Sequence, residues 1–143
     1  MISDVTKYKF KYDKNLIKDY ENWSILFRYQ QFTIGSLIII SKSGEVNLGA
    51  LSAKEWADFA EVARDAESLL VNAFGAEKFN YLALMMKDPE VHFHVVPRYS
   101  KPVVFQNKEY VDPDWPLATE KVVMELDEQT LGSIKAKIME FVA

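Results

Sequence analysis

The sequence predicts an α+β fold, on three observations. Short runs of strand-forming residues recur at 23–29, 36–41, 79–86 and 91–96. Residues 52–74 carry apolar side chains at helical spacing, and a second amphipathic segment closes the chain. No repeat or low-complexity tract interrupts the pattern.

Taken in order, residues 7–12 alternate weakly, residues 15–20 have the composition of a short helix, and residues 23–29 read as a strand. Gly35 precedes a strand over residues 36–41, where Leu37-Ile38-Ile39-Ile40 suits burial on both faces and Ser43-Gly44-Glu45 supplies the turn. Ser52-Ala53-Lys54-Glu55 has the form of a capping box, in which a serine hydroxyl and a glutamate carboxylate satisfy each other's end of the first helical turn. The expected core stripe of that helix is Trp56, Phe59, Ala60, Ala63, Leu70, Ala73 and Phe74, with Gly75 as its stop. Residues 79–86, the turn Lys87-Asp88-Pro89 and the run 91–96 predict a hairpin. Residues 101–116, which include Asp112-Pro113-Asp114-Trp115-Pro116, predict a long ordered loop with a short strand at 103–105. Leu131, Ile134, Ile138 and Val142 mark a terminal helix with Asp127 as its cap.

Composition bounds the function. The 143 residues suit one domain, 1–143, large enough to bury roughly two-thirds of the unfolded surface. With 49% hydrophobic and 13% aromatic residues the chain should fold by itself, and without cysteine it has no thiolate nucleophile, thiolate metal site or disulfide. Charged residues interrupt the first dozen positions where a signal peptide would be apolar, and no apolar run approaches the ~18 residues of a membrane span, so a cytoplasmic protein without membrane contact is expected. A net charge of −4 argues against binding a nucleic acid polymer. A small phosphorylated ligand remains compatible, with Lys42, Lys87, Arg98 and Lys101 as sources of local positive charge.

Both histidines fall in one alternating run, Val91-His92-Phe93-His94-Val95-Val96-Pro97-Arg98. In a strand His92, His94 and Glu90 share one face while Val91, Phe93 and Val95 share the other. The imidazoles then sit about 6–7 Å apart along the strand, close enough to touch one phosphate together. Pro97 cannot donate to a sheet, so the paired strand should end there, with Arg98 at its rim. A His-x-His pair also supplies two metal ligands, which Glu90 could complete. Asn80 and Gln31 suit hydrogen bonds to ribose or phosphate as well as turn or capping roles. Trp23 suits either a purine pocket or the sheet.

This run, closed by a hydrophobic pair and Pro-Arg, resembles the signature of the histidine-triad (HIT) superfamily of nucleotide hydrolases and transferases, and in particular its bacterial members of the diadenosine tetraphosphate hydrolase type. The strand Gly35-Ser36-Leu37-Ile38-Ile39-Ile40-Ser41-Lys42 followed by a long helix matches that family's order, and the likeness covers residues 15–116. The resemblance implies a HIT-like α+β fold: an antiparallel sheet of about five strands, one long helix and a C-terminal helix, pairing into a homodimer. It implies a nucleotide phosphohydrolase or nucleotidyl transferase that acts at the α-phosphate of a nucleotide or dinucleoside polyphosphate. By that resemblance His92 would form a nucleotidyl-histidine intermediate and His94 would contact the phosphate; Asn80, Arg98, Gln31, Trp23 and Glu90 are the candidate substrate-binding residues beside them. No metal or cofactor is implied. A nucleotide-binding module with weakened chemistry and a metal-dependent hydrolase using His92, His94 and Glu90 are the alternatives.

The sequence departs from the pattern at Glu90, which stands where the family's first histidine is expected. A carboxylate there repels phosphate and favours the non-nucleophilic imidazolium; turned aside, it can instead fix an imidazole tautomer. The segment Met85-Met86-Lys87-Asp88-Pro89 is also shorter than the glycine-rich phosphate loop of many relatives.

Overall fold

The structure, a computed structural model, describes residues Met1–Ala143. Four helices, α1 (Asp4–Phe10), α2 (Tyr12–Asn15), α3 (Ala53–Phe74) and α4 (Glu128–Met139), accompany the strands β1 (Leu16–Asp19), β2 (Trp23–Phe27), β3 (Leu37–Ser41), β4 (Lys78–Leu82) and β5 (His92–Arg98). The strands form one sheet in the order β1-β2-β3-β5-β4, with each neighbouring pair antiparallel. A small ribbon of β6 (Val103–Phe105) and β7 (Lys108–Tyr110) lies apart. No helix is long and apolar enough to cross a membrane.

Strand alternation gives the sheet two different faces. Register aligns Ile25, Ile39 and Phe93 on one of them, and Phe27, Leu37 and Val95 beside them. This face carries the main core, in which Val62, Ala66, Leu70 and Phe74 of α3 and Ile134 and Ile138 of α4 are buried with Trp23 and Ile39. The expected capping box and the left-handed Gly75 stop bound α3. Of its expected stripe, Leu70 and Phe74 are buried and Trp56, Phe59 and Ala73 pack against the core, whereas Ala60 is exposed; Val62, Ala66 and Leu69 are buried in addition. The opposite face aligns Leu26 with Ile38 and His94, and Ser24 with Ile40 and His92. A smaller cluster covers it, with Ile2 and Phe10 packed against Leu26, Ile38 and Ile40.

That cover corrects the reading of residues 7–12. They lie in α1 and the turn after it, because Ser3 caps the helix through the Thr6 amide and because Ile2, Thr6 and Phe10, spaced four apart, turn one buried stripe to the sheet. Residues 15–20, expected as helix, instead provide β1. A segment this short cannot nucleate a helix by itself, and pairing along β2 satisfies its backbone. β5 also runs through Pro97 to Arg98. The Pro97 carbonyl accepts from the Thr33 hydroxyl at 2.6 Å, so the edge that lacks an N–H faces the β2–β3 connection beyond the start of β3, where no ladder bond is lost. The expected loop 101–116 contains a full hairpin, turned by Gln106 and Asn107 at positive φ.

The long segment after β7 is tied back to the sheet by Arg98. Its Nε and Nη2 donate to Asp112 at 2.6 and 3.1 Å, Nη2 also donates to the Leu117 carbonyl at 2.8 Å, and Nη1 donates to Asn80 Oδ1 at 2.7 Å. Arg98 and Asp112 are both buried. Removing one member of a buried pair strands the other charge away from water, so Asp112→Ala should lower stability by about 3–5 kcal/mol, read as a fall in the chemical denaturation midpoint. A loss below about 1 kcal/mol would mean that the pair does not hold this segment.

Candidate active site

The site is built from β5 outward. Val91, Phe93 and Val95 point into the α3 core, where Phe93 meets Phe59 at 4.8 Å between ring centroids. His92 and His94 therefore share the other face, with their rings nearly perpendicular and 4.9 Å apart. Phe10 of α1 sits edge-on to His92 at 5.3 Å and leaves that histidine 3% exposed. His94 lies at the floor of an open groove of about 880 Å³ between α1–α2 and the end of β2.

Hydrogen-bond partners assign complementary tautomers to the two rings. The Nδ1 of His92 lies 2.6 Å from the Glu90 main-chain carbonyl, which can only accept, so Nδ1 carries a proton and, in the neutral ring, the electron pair lies on Nε2. The Nδ1 of His94 receives the Arg28 Nε–H at 3.3 Å, so His94 presents Nε2–H as a donor. Burial, with Arg28 and His92 beside it, pushes His94 down to about 3, and the ring is neutral throughout the neutral range. Burial also lowers Arg28, to about 10, which leaves it charged there. Its guanidinium lies over the Phe32 ring at 4.1 Å.

The groove concentrates charge against the trend of the whole chain. Lys7, Lys9, Lys11, Lys14, Arg28 and Lys87 line it against only Asp13 and Asp88, while the protein carries −4 overall. Tyr8, Tyr12 and Tyr29 supply aromatic walls. Cations with flat rings above a neutral imidazole donor suit an anion attached to an aromatic group.

The other expected residues take different places. Glu90 does not aim at either imidazole. Its carboxylate accepts from the Ser3 hydroxyl at 2.5 Å, the Thr6 hydroxyl at 2.8 Å and the Ser3 amide at 3.1 Å, clasping the start of α1. His92, His94 and Glu90 therefore do not form a ligand set for a metal ion. Trp23 is wholly buried on the α3 face, where its indole N–H donates to the Glu55 carbonyl, so a purine-pocket role gives way to a core role. Gln31, also wholly buried, braces the β2–β3 connection, donating to Ser36 O and accepting from the Gly35 and Ser36 amides. Arg98 is held by Asp112, Asn80 Oδ1 and the Leu117 carbonyl, roughly 13 Å along β5 from His94, and Asn80, opposite Val96 on β4, accepts from it. Arg28 and the lysines of α1 and α2 were not singled out from the sequence. Arg28 stands two residues beyond Leu26 and shares its face, and Lys7, Lys11 and Lys14 follow a helical four-then-three spacing; those were the available signals.

With this geometry in hand, the class of fold can be stated: it is the histidine-triad fold, an α+β arrangement with a five-stranded antiparallel sheet. A histidine triad protein from Marinobacter aquaeolei superposes with a TM-score of 0.71 at 20% identity, covering 95% of this chain and 96% of that one. A histidine triad protein from Sinorhizobium meliloti gives 0.70 at 20% identity, covering 92% and 93%. A hypothetical histidine triad nucleotide-binding protein from Sulfolobus tokodaii gives 0.68 at 14% identity, covering 94% and 89%. No protein-family model and no curated protein matches the sequence.

The Glu90 clasp makes a prediction about acid stability. Partial burial opposes ionisation, but the Ser3 and Thr6 hydrogen bonds outweigh it and hold the carboxyl below its ordinary 4.5. A depressed folded value stabilises above the unfolded pKa and is lost as pH falls through the folded one. Glu90→Gln should therefore cost about 1–2 kcal/mol at pH 7. The gap from wild type should close as pH falls below 4.5, followed by urea melts across that range. A gap that stays constant with pH would show that the charge does not hold α1.

Proposed function

We propose that the protein binds a nucleotide in the groove over His94 and transfers or hydrolyses its nucleotidyl group through His92. One observation carries this reading: two adjacent imidazoles with complementary Nδ1 partners, His92 donating there to a carbonyl and His94 accepting there from Arg28, with His94 at the floor of a cationic and aromatic groove. The histidine-triad fold supports nucleotide chemistry as the class, and the Sulfolobus neighbour is described as nucleotide-binding.

The chemistry follows from those hydrogen positions. His92 Nε2 attacks the α-phosphorus, the bond from phosphorus to the leaving group breaks, and the leaving group departs with the electron pair. The ring becomes a nucleotidyl-imidazolium whose Nδ1–H stays on the Glu90 carbonyl. His94 donates Nε2–H to a non-bridging phosphate oxygen, where negative charge gathers in the transition state. Water then attacks phosphorus, the P–N bond breaks, and its pair returns to Nε2 as the water proton leaves to solvent. A homodimer belongs to the same reading and is checked by sedimentation.

Phe10 favours a second reading, because it leaves His92 3% exposed while His94 stays open to the groove. On that reading the protein binds nucleotide without turning it over. Assay with a fluorogenic adenosine phosphoramidate separates the two. The catalytic reading expects wild-type turnover, a covalent nucleotide on His92 after acid quench, and a loss of roughly 10³-fold or more in His92→Ala with binding retained. Wild-type binding with neither turnover nor adduct would establish the second reading, and undiminished turnover in His92→Ala would remove His92 as nucleophile.

A further inference from the structure

We propose that Arg28 replaces the missing first histidine as the charge that holds phosphate, so that Arg28 and His94 form one anion-binding pair, beside His92, for the phosphate group of the ligand. The inference rests on the nucleotide reading and adds a residue that the alternating motif does not contain.

Three observations converge on it. The place before His92 is vacant of positive charge, since Glu90 is turned to Ser3 and Thr6 and offers the site only its carbonyl. Arg28 reaches the same floor from the other side: it follows β2 directly, on the face of Leu26, and its Nε comes to 3.3 Å from His94 Nδ1. A desolvated guanidinium ordinarily sits on a carboxylate, as Arg98 does on Asp112. Arg28 takes part in none of the chain's ion pairs. Asp88, the carboxylate that faces it in the groove, is paired with Lys9.

The donor count leaves room for a ligand. Nε is used by His94 and Nη1 by the carbonyl and side chain of Gln30, while Nη2 makes no hydrogen bond within the protein. The Phe32 ring under the guanidinium carbon, with the Gln30 and His94 contacts, holds the group in place beside the groove. A phosphate oxygen on Nη2 and a second on His94 Nε2–H would be neutralised by a charge that is already oriented. The same contact keeps His94 in the tautomer that donates, so Arg28 both binds the anion and positions the neighbouring donor.

The test uses the full chain with adenosine monophosphate, adenosine and inorganic phosphate as calorimetric probes, in wild type, Arg28→Met and Arg28→Lys. The expected result is tenfold or greater loss of adenosine monophosphate affinity in Arg28→Met, adenosine binding unchanged, and a smaller loss in Arg28→Lys, which keeps the charge without the planar fork. Only two histidines need assigning by NMR, and His94 is faced by Arg28, His92, Asp88 and Lys121. In Arg28→Met its titration midpoint should move upward, because a cation opposing imidazolium has gone; a purely structural arginine would not combine that shift with phosphate-selective loss. Equal adenosine monophosphate affinity in wild type and both variants overturns the Arg28 assignment and leaves the nucleotide reading standing. Arg28-dependent binding of inorganic phosphate without binding of either adenosine compound does the reverse. Wild type that binds none of the three overturns both.

Discussion

The alternation of β5 between two covered faces is the constraint on which the rest of the structure depends. Phe93 and Val95 must enter the α3 core, so His92 and His94 must face the other way, and a one-residue slip would exchange them. Both faces are therefore specified, one by hydrophobic burial and the other by what α1 leaves uncovered. Phe10 stops over His92, and the groove begins at His94. The difference in access between two histidines only two residues apart follows from the length of one short helix and the clasp that fixes its start on Glu90.

Glu90 shows how a departure from a motif can be resolved by geometry. A carboxylate in the phosphate-facing row would repel the ligand. Here three hydrogen bonds from Ser3 and Thr6 draw it out of that row, while its main-chain carbonyl remains to set the His92 tautomer. The backbone contribution survives any side chain at this position. The side chain is thereby free to serve the cover, and the charge that phosphate requires has to come from elsewhere in the sheet.

The parts of this architecture that local patterns encode were legible in the sequence. The Ser52–Glu55 capping box, Gly75, the Asp127 cap and the apolar run of β3 each state their structure within a few residues. α1 and β1 were read in reverse because each is short, and tertiary contacts outweigh weak propensity in such segments: the stripe Ile2, Thr6, Phe10 has meaning only against a sheet that begins later in the chain. At the site, His92 and His94 could be found because strand alternation is local. Arg28 could not be found in this way, because its place beside His94 depends on β2 lying two strands from β5. For Trp23 and Gln31 the sequence left a ligand role and a structural one open, and the choice rests on partners that neither local pattern names: the Glu55 carbonyl for Trp23 and the Gly35 and Ser36 backbone for Gln31.

The buried Arg98 and the half-buried Arg28 then explain which residues remain available for chemistry. Arg98 follows the family-like Pro97 and looks, by sequence, like the natural phosphate ligand. Yet Asp112, Asn80 and the Leu117 carbonyl take four of its five N–H donors, and its charge is already neutralised by Asp112 in a buried pair. Arg28 has no such competitor, and Phe32 and Gln30 hold its shape without neutralising its charge. A guanidinium desolvated without a counter-ion is costly in the empty protein, and that cost is recovered only when an anion arrives. The same burial that would weaken a purely structural arginine thus strengthens its grip on phosphate, because water no longer competes for the exposed edge.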